Sequence, residues 1–226
     1  MAIFRLESDV SRFPHPSYAE SDGLLAVGGN LAPDTLLQAY KCGIFPWYSN
    51  DSPILWWSPD PRLVLDSREV NIGRSMRPIL RRSNWQFRMD TAFAEVIGSC
   101  AEVERKGQDG TWIHSEVVEA YSRLHQLGYA HSAETWIEGE LRGGLYGLCI
   151  GRAFFGESMF ALTSNASKYA LIKLCEYLKG KSVFLIDCQT PTSHLESMGA
   201  KLWSRSRFLT VLSEAVRVQG PFGKWT

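Results

Sequence analysis

The chain has 226 residues and a mass of 25.5 kDa, enough for one large domain or two small ones. At 45% hydrophobic and 21% charged residues it has an ordinary globular composition, which excludes intrinsic disorder and low-complexity fibres. Its 24 Lys and Arg balance 24 Asp and Glu, so it lacks the strong basicity of a general nucleic-acid coat protein.

No run approaches the roughly 18 apolar residues needed to span a bilayer. Residues 1–13 mix acids and bases without the apolar centre of a signal peptide, and a cytoplasmic location is expected. The five cysteines (Cys42, Cys100, Cys149, Cys175 and Cys188) are odd in number, widely spaced and without a C-x-x-C. They read as inert thiols rather than as a disulfide framework or a zinc site.

Charge is unevenly placed. Residues 1–61 carry seven acids against three cations, a net −4; residues 62–88 carry seven arginines against two acids, a net +5. Arginine suits forked contacts with phosphate, although a solvated face is the readier explanation of such a run taken by itself.

The first segment alternates glycines and prolines and crowds Trp47, Trp56 and Trp57 together. It reads as a loop-rich small domain with one helix, opened by Pro33, striped by Leu36, Leu37 and Tyr40, and stopped at Gly43. A boundary is expected at Pro61–Arg62, giving domains 1–61 and 62–226.

Beyond it, helical and strand signals alternate. Residues 62–66 read as a strand, 75–82 as a short helix and 85–89 as a strand. Asp90 is expected to cap a helix striped by Phe93, Val96, Ile97 and Cys100, and Ser115 one striped by Val118, Tyr121, Leu124 and His125. Strands follow over 130–137, 141–150 and 153–161, the first two joined at Glu138-Gly139. Ser164 or Asn165 opens a helix with Leu171, Leu174, Cys175 and Leu178 on one side. A strand over 183–187, a short helix and a helix over 207–217 complete the pattern, an α+β chain with a mixed central sheet.

Polar groups interrupt two apolar strands. Strict alternation puts Phe155, Glu157 and Met159 on one face and Phe154, Ser158 and Phe160 on the other. A carboxylate between Phe155 and Met159 needs a partner or loses its charge. Asp187 and Gln189 share one face at the carboxyl end of an apolar strand, where they can orient an amine or merely satisfy the turn before Pro191. The five histidines form no metal set, and no P-loop or G-x-S-x-G elbow occurs. Gly143, Gly144 and Gly147 suggest close backbone approach within a strand.

Seven segments in order carry a specific resemblance: Gly23-Leu24-Leu25-Ala26-Val27-Gly28-Gly29, Gly43-Ile44-Phe45-Pro46-Trp47, Leu55-Trp56-Trp57-Ser58-Pro59-Asp60-Pro61-Arg62, Gly110-Thr111-Trp112-Ile113, Gly156-Glu157-Ser158-Met159-Phe160, Asn165-Ala166-Ser167-Lys168 and Leu185-Ile186-Asp187-Cys188-Gln189. From about Phe13 to Leu212 the chain resembles the bacterial leucyl/phenylalanyl-tRNA–protein transferases. Departures fall at the loop Lys106-Gly107-Gln108-Asp109, at Met198 where Leu is expected, and in the tail after Val218. None is expected to touch the chemistry.

The resemblance implies a C-terminal acyltransferase domain resembling the GCN5-type N-acetyltransferase fold, with the small N-terminal domain packed on it. It implies transfer of Leu, Phe or Met from aminoacyl-tRNA to the α-amine of an N-terminal Arg or Lys, marking the protein for N-end-rule degradation, with no cofactor and no metal. It assigns Asp187 and Gln189 to orienting the amine, Asp187 polarising Gln189 or the amine itself, and Glu157 to holding the acceptor N-terminus. It assigns Leu145, Phe154, Met159, Leu171, Leu174 and Ile186 to an apolar aminoacyl pocket. Trp47 and Trp112 are expected to stack on the terminal adenosine, and Arg74, Arg77, Arg81 and Arg82 to contact tRNA phosphates. The alternatives are an acyl-CoA N-acetyltransferase, whose Q/R-x-x-G-x-G/A loop is not found, and a non-catalytic tRNA-binding module, which leaves Glu157, Asp187 and Gln189 unexplained.

Overall fold

Two sheets organise the chain in the computed structural model, which describes residues 3–8, 12–103 and 112–225. Gly110, Thr111 and the loop Lys106–Asp109, singled out above, lie outside the described residues. The first sheet has strands β1 (Phe4–Leu6), β2 (Leu24–Gly28), β3 (Phe45–Pro46) and β4 (Leu55–Trp57), ordered β1-β2-β4-β3. Helix α1 (Pro33–Lys41) joins β2 to β3, with Pro33 at its start and Asp34 in its first turn, where a negative charge favours the helix dipole. Gly43 follows at φ 75°, and a Cβ there would lie 2.6 Å from the Leu209 side chain, so only glycine fits this turn.

The second sheet begins at Arg62. Its order is β11-β5-β10-β9-β8-β7-β6, from β5 (Arg62–Asp66), β6 (Trp85–Met89), β7 (Ala130–Ile137), β8 (Glu140–Ile150), β9 (Ala153–Ala161), β10 (Leu185–Gln189) and β11 (Lys201–Trp203). All its pairings are antiparallel except β10 with β9. Helices α3 (Phe93–Glu102), α4 (Ser115–Gln126) and α7 (Arg205–Ala215) contribute to one core, together with α1 and the first sheet. Helices α2 (Met76–Ile79) and α5 (Ala166–Gly180) contribute to the other, and α6 (Ser193–Ser197) follows β10. The segment before Arg62 therefore shares a core with the large sheet: Tyr40 of α1 meets Phe155 of β9 at 5.1 Å between ring centroids.

Four expectations need correction. Asp90 does not cap α3. It adopts φ 53° and turns inward to accept from His131 Nδ1 at 2.9 Å and from the backbone N–H of Ser132. The buried Glu134 takes the N–H groups of Thr91 and Ala92 instead. Helix α4 is preceded by His114, with no side-chain cap from Ser115. Helix α2 is a single turn and does not extend over 75–82; it carries Arg77, while Arg74 precedes it and Arg81 and Arg82 lie beyond it.

The fourth correction concerns β9. Tyr146 pairs with Ser158 and Gly147 with Gly156, leaving Glu157 as an extra residue on β9. Such a bulge switches the parity of side chains along the strand. Phe155 and Phe160 consequently share one core while Phe154 and Met159 share the other, contrary to strict alternation. Gly147 permits this geometry, since a Cβ there would lie 2.2 Å from the Phe155 carbonyl oxygen and 2.7 Å from the Phe154 ring. The close approach expected at this glycine is present.

Candidate active site between two parting strands

Strands β10 and β9 run parallel only from Leu185 opposite Ala153 to Asp187 opposite Phe155. Beyond that point β9 continues on β8, while β10 ends at Gln189 with φ 62°. A cavity of about 550 Å³ occupies the gap. Leu145, Phe154, Met159, Leu171 and Ile186 form an apolar side; Trp112, from the other core, and the exposed Trp47 also line it; Glu157 and Gln189 lie in the wall. Leu174 does not line it. It is fully buried in the core behind.

Glu157 is a hydrogen-bond hub. Oε1 accepts from Tyr40 Oη at 2.7 Å and from Gln189 Nε2 at 3.1 Å, and Oε2 accepts from Tyr121 Oη at 3.1 Å. The two tyrosine hydroxyls also lie against each other; with one proton each they fill two of these three contacts while Glu157 is ionised, and all three only when its carboxyl is protonated and donates. Burial pushes the Glu157 carboxyl up to about 7, with the negative charge of Asp187 adding to the rise and the hydrogen bonds opposing it. Burial first, then the Glu157 charge, raises both tyrosines well above their ordinary value, so they act as neutral donors. Sequence periodicity places Tyr40 and Tyr121 only on apolar helix stripes. A hydroxyl on a buried stripe, which requires a partner, was the signal available.

Asp187 does not reach the cavity. It is fully buried, and both its oxygens are taken by the Arg62 fork, Nε to Oδ1 at 2.8 Å and Nη2 to Oδ2 at 2.6 Å. Arg62 is itself fully buried, between the rings of Phe45 and Phe208 at 4.8 and 4.7 Å, and donates to the Gly43 carbonyl at 3.2 Å. Asp187 Oδ1 also accepts the Gln189 backbone N–H at 3.0 Å. A chain of contacts thus runs from Arg62 through Asp187 to the backbone of Gln189, whose amide reaches Glu157. Asp187 is a support for Gln189 and does not face an amine in the cavity. Arg62, counted above with the phosphate-type arginines, is not available to phosphate.

Arg74, Arg77, Arg81 and Arg82 are exposed around α2, which is anchored by buried Met76 and Ile79. None forms an ion pair among the described residues, and the Arg82 guanidinium lies 6.0 Å from the Trp85 ring centre. The α2 residues Met76 and Ile79 belong to the core on the α5 side of the sheet, whereas Trp112 belongs to the other core. Among the described residues no cluster of three or more His, Cys, Asp and Glu could hold a metal, and no helix is long and apolar enough to cross a membrane.

A family model described as leucyl/phenylalanyl-tRNA protein transferase matches residues 64–213, and the model of its N-terminal domain matches residues 29–60. A leucyl/phenylalanyl-tRNA–protein transferase from Syntrophobacter fumaroxidans is 57% identical over 217 residues, 96% of this chain and 92% of that protein. One from Myxococcus xanthus is 53% identical over 214 residues, covering 95% and 92%. Among solved structures, a GCN5-related N-acetyltransferase from Kribbella flavida aligns with a TM-score of 0.40 and 7% identity, covering 76% of this chain and 61% of that one. The protein is therefore an enzyme of the aminoacyltransferase class. The chain belongs to the leucyl/phenylalanyl-tRNA protein transferase family.

Proposed function

We propose that this protein transfers Leu, Phe or Met from aminoacyl-tRNA to the α-amino group of an N-terminal Arg or Lys of a protein, in the cytoplasm, marking that protein for N-end-rule degradation. The observation that carries the reading is the cavity itself: an apolar recess, two indoles and a carboxylate–amide pair converge on one strand gap. The division into a small N-terminal domain, 1–61, and a catalytic domain, 62–226, belongs to the same reading. It is supported by the change of sheet between Trp57 and Arg62.

In this mechanism the recess built from Leu145, Phe154, Met159, Leu171 and Ile186 takes the aminoacyl side chain, and Trp47 and Trp112 stack on the terminal adenosine. The acceptor amine nitrogen attacks the ester carbonyl carbon. A C–N bond forms, the bond from that carbon to the ribose oxygen breaks, and the amine proton ends on the departing ribose hydroxyl. The ester is already activated, so the protein mainly supplies position. Gln189 and Glu157 orient the amine; Glu157 in its ionised form attracts the cationic acceptor terminus, which releases one proton to solvent before its neutral nitrogen attacks. Tyr40 and Tyr121 hold that carboxylate in place. Family membership favours this reading over an acyl-CoA N-acetyltransferase.

The test is turnover of purified protein with Leu-tRNA and an Arg-starting peptide, without CoA or ATP. Leucyl-peptide should form with Arg or Lys at the N-terminus and not with an acetylated peptide. Acetyl-CoA-dependent modification, or no leucyl transfer, would overturn the proposal.

The exposed arginines are assigned to phosphates of the tRNA acceptor stem, which position a nucleic acid without reading its bases. Arg77→Ala should raise KM for full-length aminoacyl-tRNA and reduce the salt slope by roughly one unit. Turnover of aminoacyl-adenosine, which has no acceptor stem, should stay near the wild-type value. Equal damage to both substrates would remove Arg77 from tRNA contact.

A further inference from the structure

Trp225 is buried at 3% exposure, although it follows a half-exposed segment after α7. Its indole lies flat on the His131 ring, with centroids 3.7 Å apart and planes within 7°. Its backbone N–H donates to Asp90 Oδ2 at 2.7 Å, the oxygen that also bonds His131 at 2.9 Å. The inward turn of Asp90, which costs α3 a side-chain cap, thus serves to anchor this segment.

The indole also meets the ring of Phe154 at 6.3 Å and that of Tyr177 at 5.2 Å, within the range of favourable aromatic contact. Phe154 lines the cavity; Trp225 does not. The Phe154 ring therefore has the recess on one side and Trp225 on another, and it lies over Gly147, where no side chain blocks it. A ring in a close-packed wall keeps its rotamer only while its neighbours fill the space behind it.

We propose that Trp225 is a specificity-determining positioning residue: without touching the aminoacyl group, it holds Phe154 against the recess and so sets the recess depth and the preference between Leu and Phe. This rests on the reading of the cavity as the aminoacyl pocket. The tail after Val218, expected from sequence to be remote from the chemistry, then forms its outer wall. Truncating Trp225 leaves a space into which the Phe154 ring can retreat, and a deeper recess favours the larger substrate.

The experiment is kcat/KM for Leu-tRNA and for Phe-tRNA in wild type, Trp225→Ala, Trp225→Leu and Trp225→Phe, with Met159→Ala as a reference at the cavity wall. The Phe-to-Leu ratio is the readout, because a partly unfolded preparation lowers both values equally and leaves their ratio unchanged. The ratio should rise on the order of tenfold in Trp225→Ala, rise in the same direction in Trp225→Leu, and stay within about twofold of wild type in Trp225→Phe, which keeps a flat ring behind Phe154. Should Trp225→Ala not fold, Trp225→Leu carries the test. A wild-type ratio in the Ala or Leu variant, with a shifted ratio in Met159→Ala, would overturn the role of Trp225 alone. A wild-type ratio in Met159→Ala as well would overturn the pocket reading.

Discussion

Replacing Arg62 by Met should destabilise the protein by about 3–5 kcal/mol, because it leaves Asp187 buried without its partner. For a chain of this size that corresponds to a fall in Tm of very roughly 6–20 °C. The informative variant is the double replacement Arg62→Met with Asp187→Leu. Exchanging a buried ion pair for apolar side chains is often neutral, so most of the lost stability should return. Activity should not return with it. Gln189 loses the carboxylate that holds its backbone N–H in a left-handed conformation, and its amide then no longer meets Glu157 in one geometry. A kcat at least about 10²-fold below wild type is expected in the stable double variant, the loss that a misplacement of about 1 Å in a positioning group can cause. Thermal unfolding and single-turnover rates measured on the same preparations check both halves. Wild-type kcat in the double variant would reduce the pair to a structural role.

Glu157→Gln should show the opposite sign in stability and a comparable loss in rate. The Glu157 carboxyl stands at about 7 in the folded protein against an ordinary value of 4.5. The native state therefore binds more protons than the unfolded state between those pH values. Stability contributed by this group is present below about pH 4.5 and is lost as pH rises towards 7, by on the order of 3 kcal/mol in total. Glutamine keeps the shape without the buried charge. Urea midpoints should show the variant more stable than wild type above pH 7, with the difference shrinking towards pH 4.5. At pH 8 its kcat should fall by roughly 10²-fold or more, since the anion that receives the acceptor amine is gone. Unchanged kcat would remove Glu157 from the reaction, whereas a pH-independent stability difference would mean the carboxylate is ordinarily solvated. The site is less stable than it could be because its chemistry needs an ionised group in a poorly solvated place.

Much of this protein could be read along the chain. The 3.6-residue stripes of α1, α3, α4 and α5 arise from local repetition of apolar side chains, and each stripe faces a core as expected. Glu157 and Gln189 stood out because polar side chains in apolar strands must be matched by something, and both meet at the cavity. What those groups meet is a matter of contacts between distant segments. Arg62 finds Asp187 across 125 positions, Tyr40 finds Glu157 across 117, and Asp90 finds Trp225 across 135. Periodicity within one segment carries no information about such partners, so Arg62 reads as one of a run of solvated or phosphate-type arginines, Asp187 as either an amine-orienting or a turn-satisfying group, and Asp90 as a cap. The bulge at Glu157 shows the limit most directly. Its sequence is a plain strand, and only the register against Tyr146 and Gly147 on β8 inserts the extra residue that sends Phe155 and Phe160 to one core, and Phe154 and Met159 to the other. Local chemistry determined which side chains need partners; the pairing of strands in space decided which partners they have and on which side of the sheet they meet.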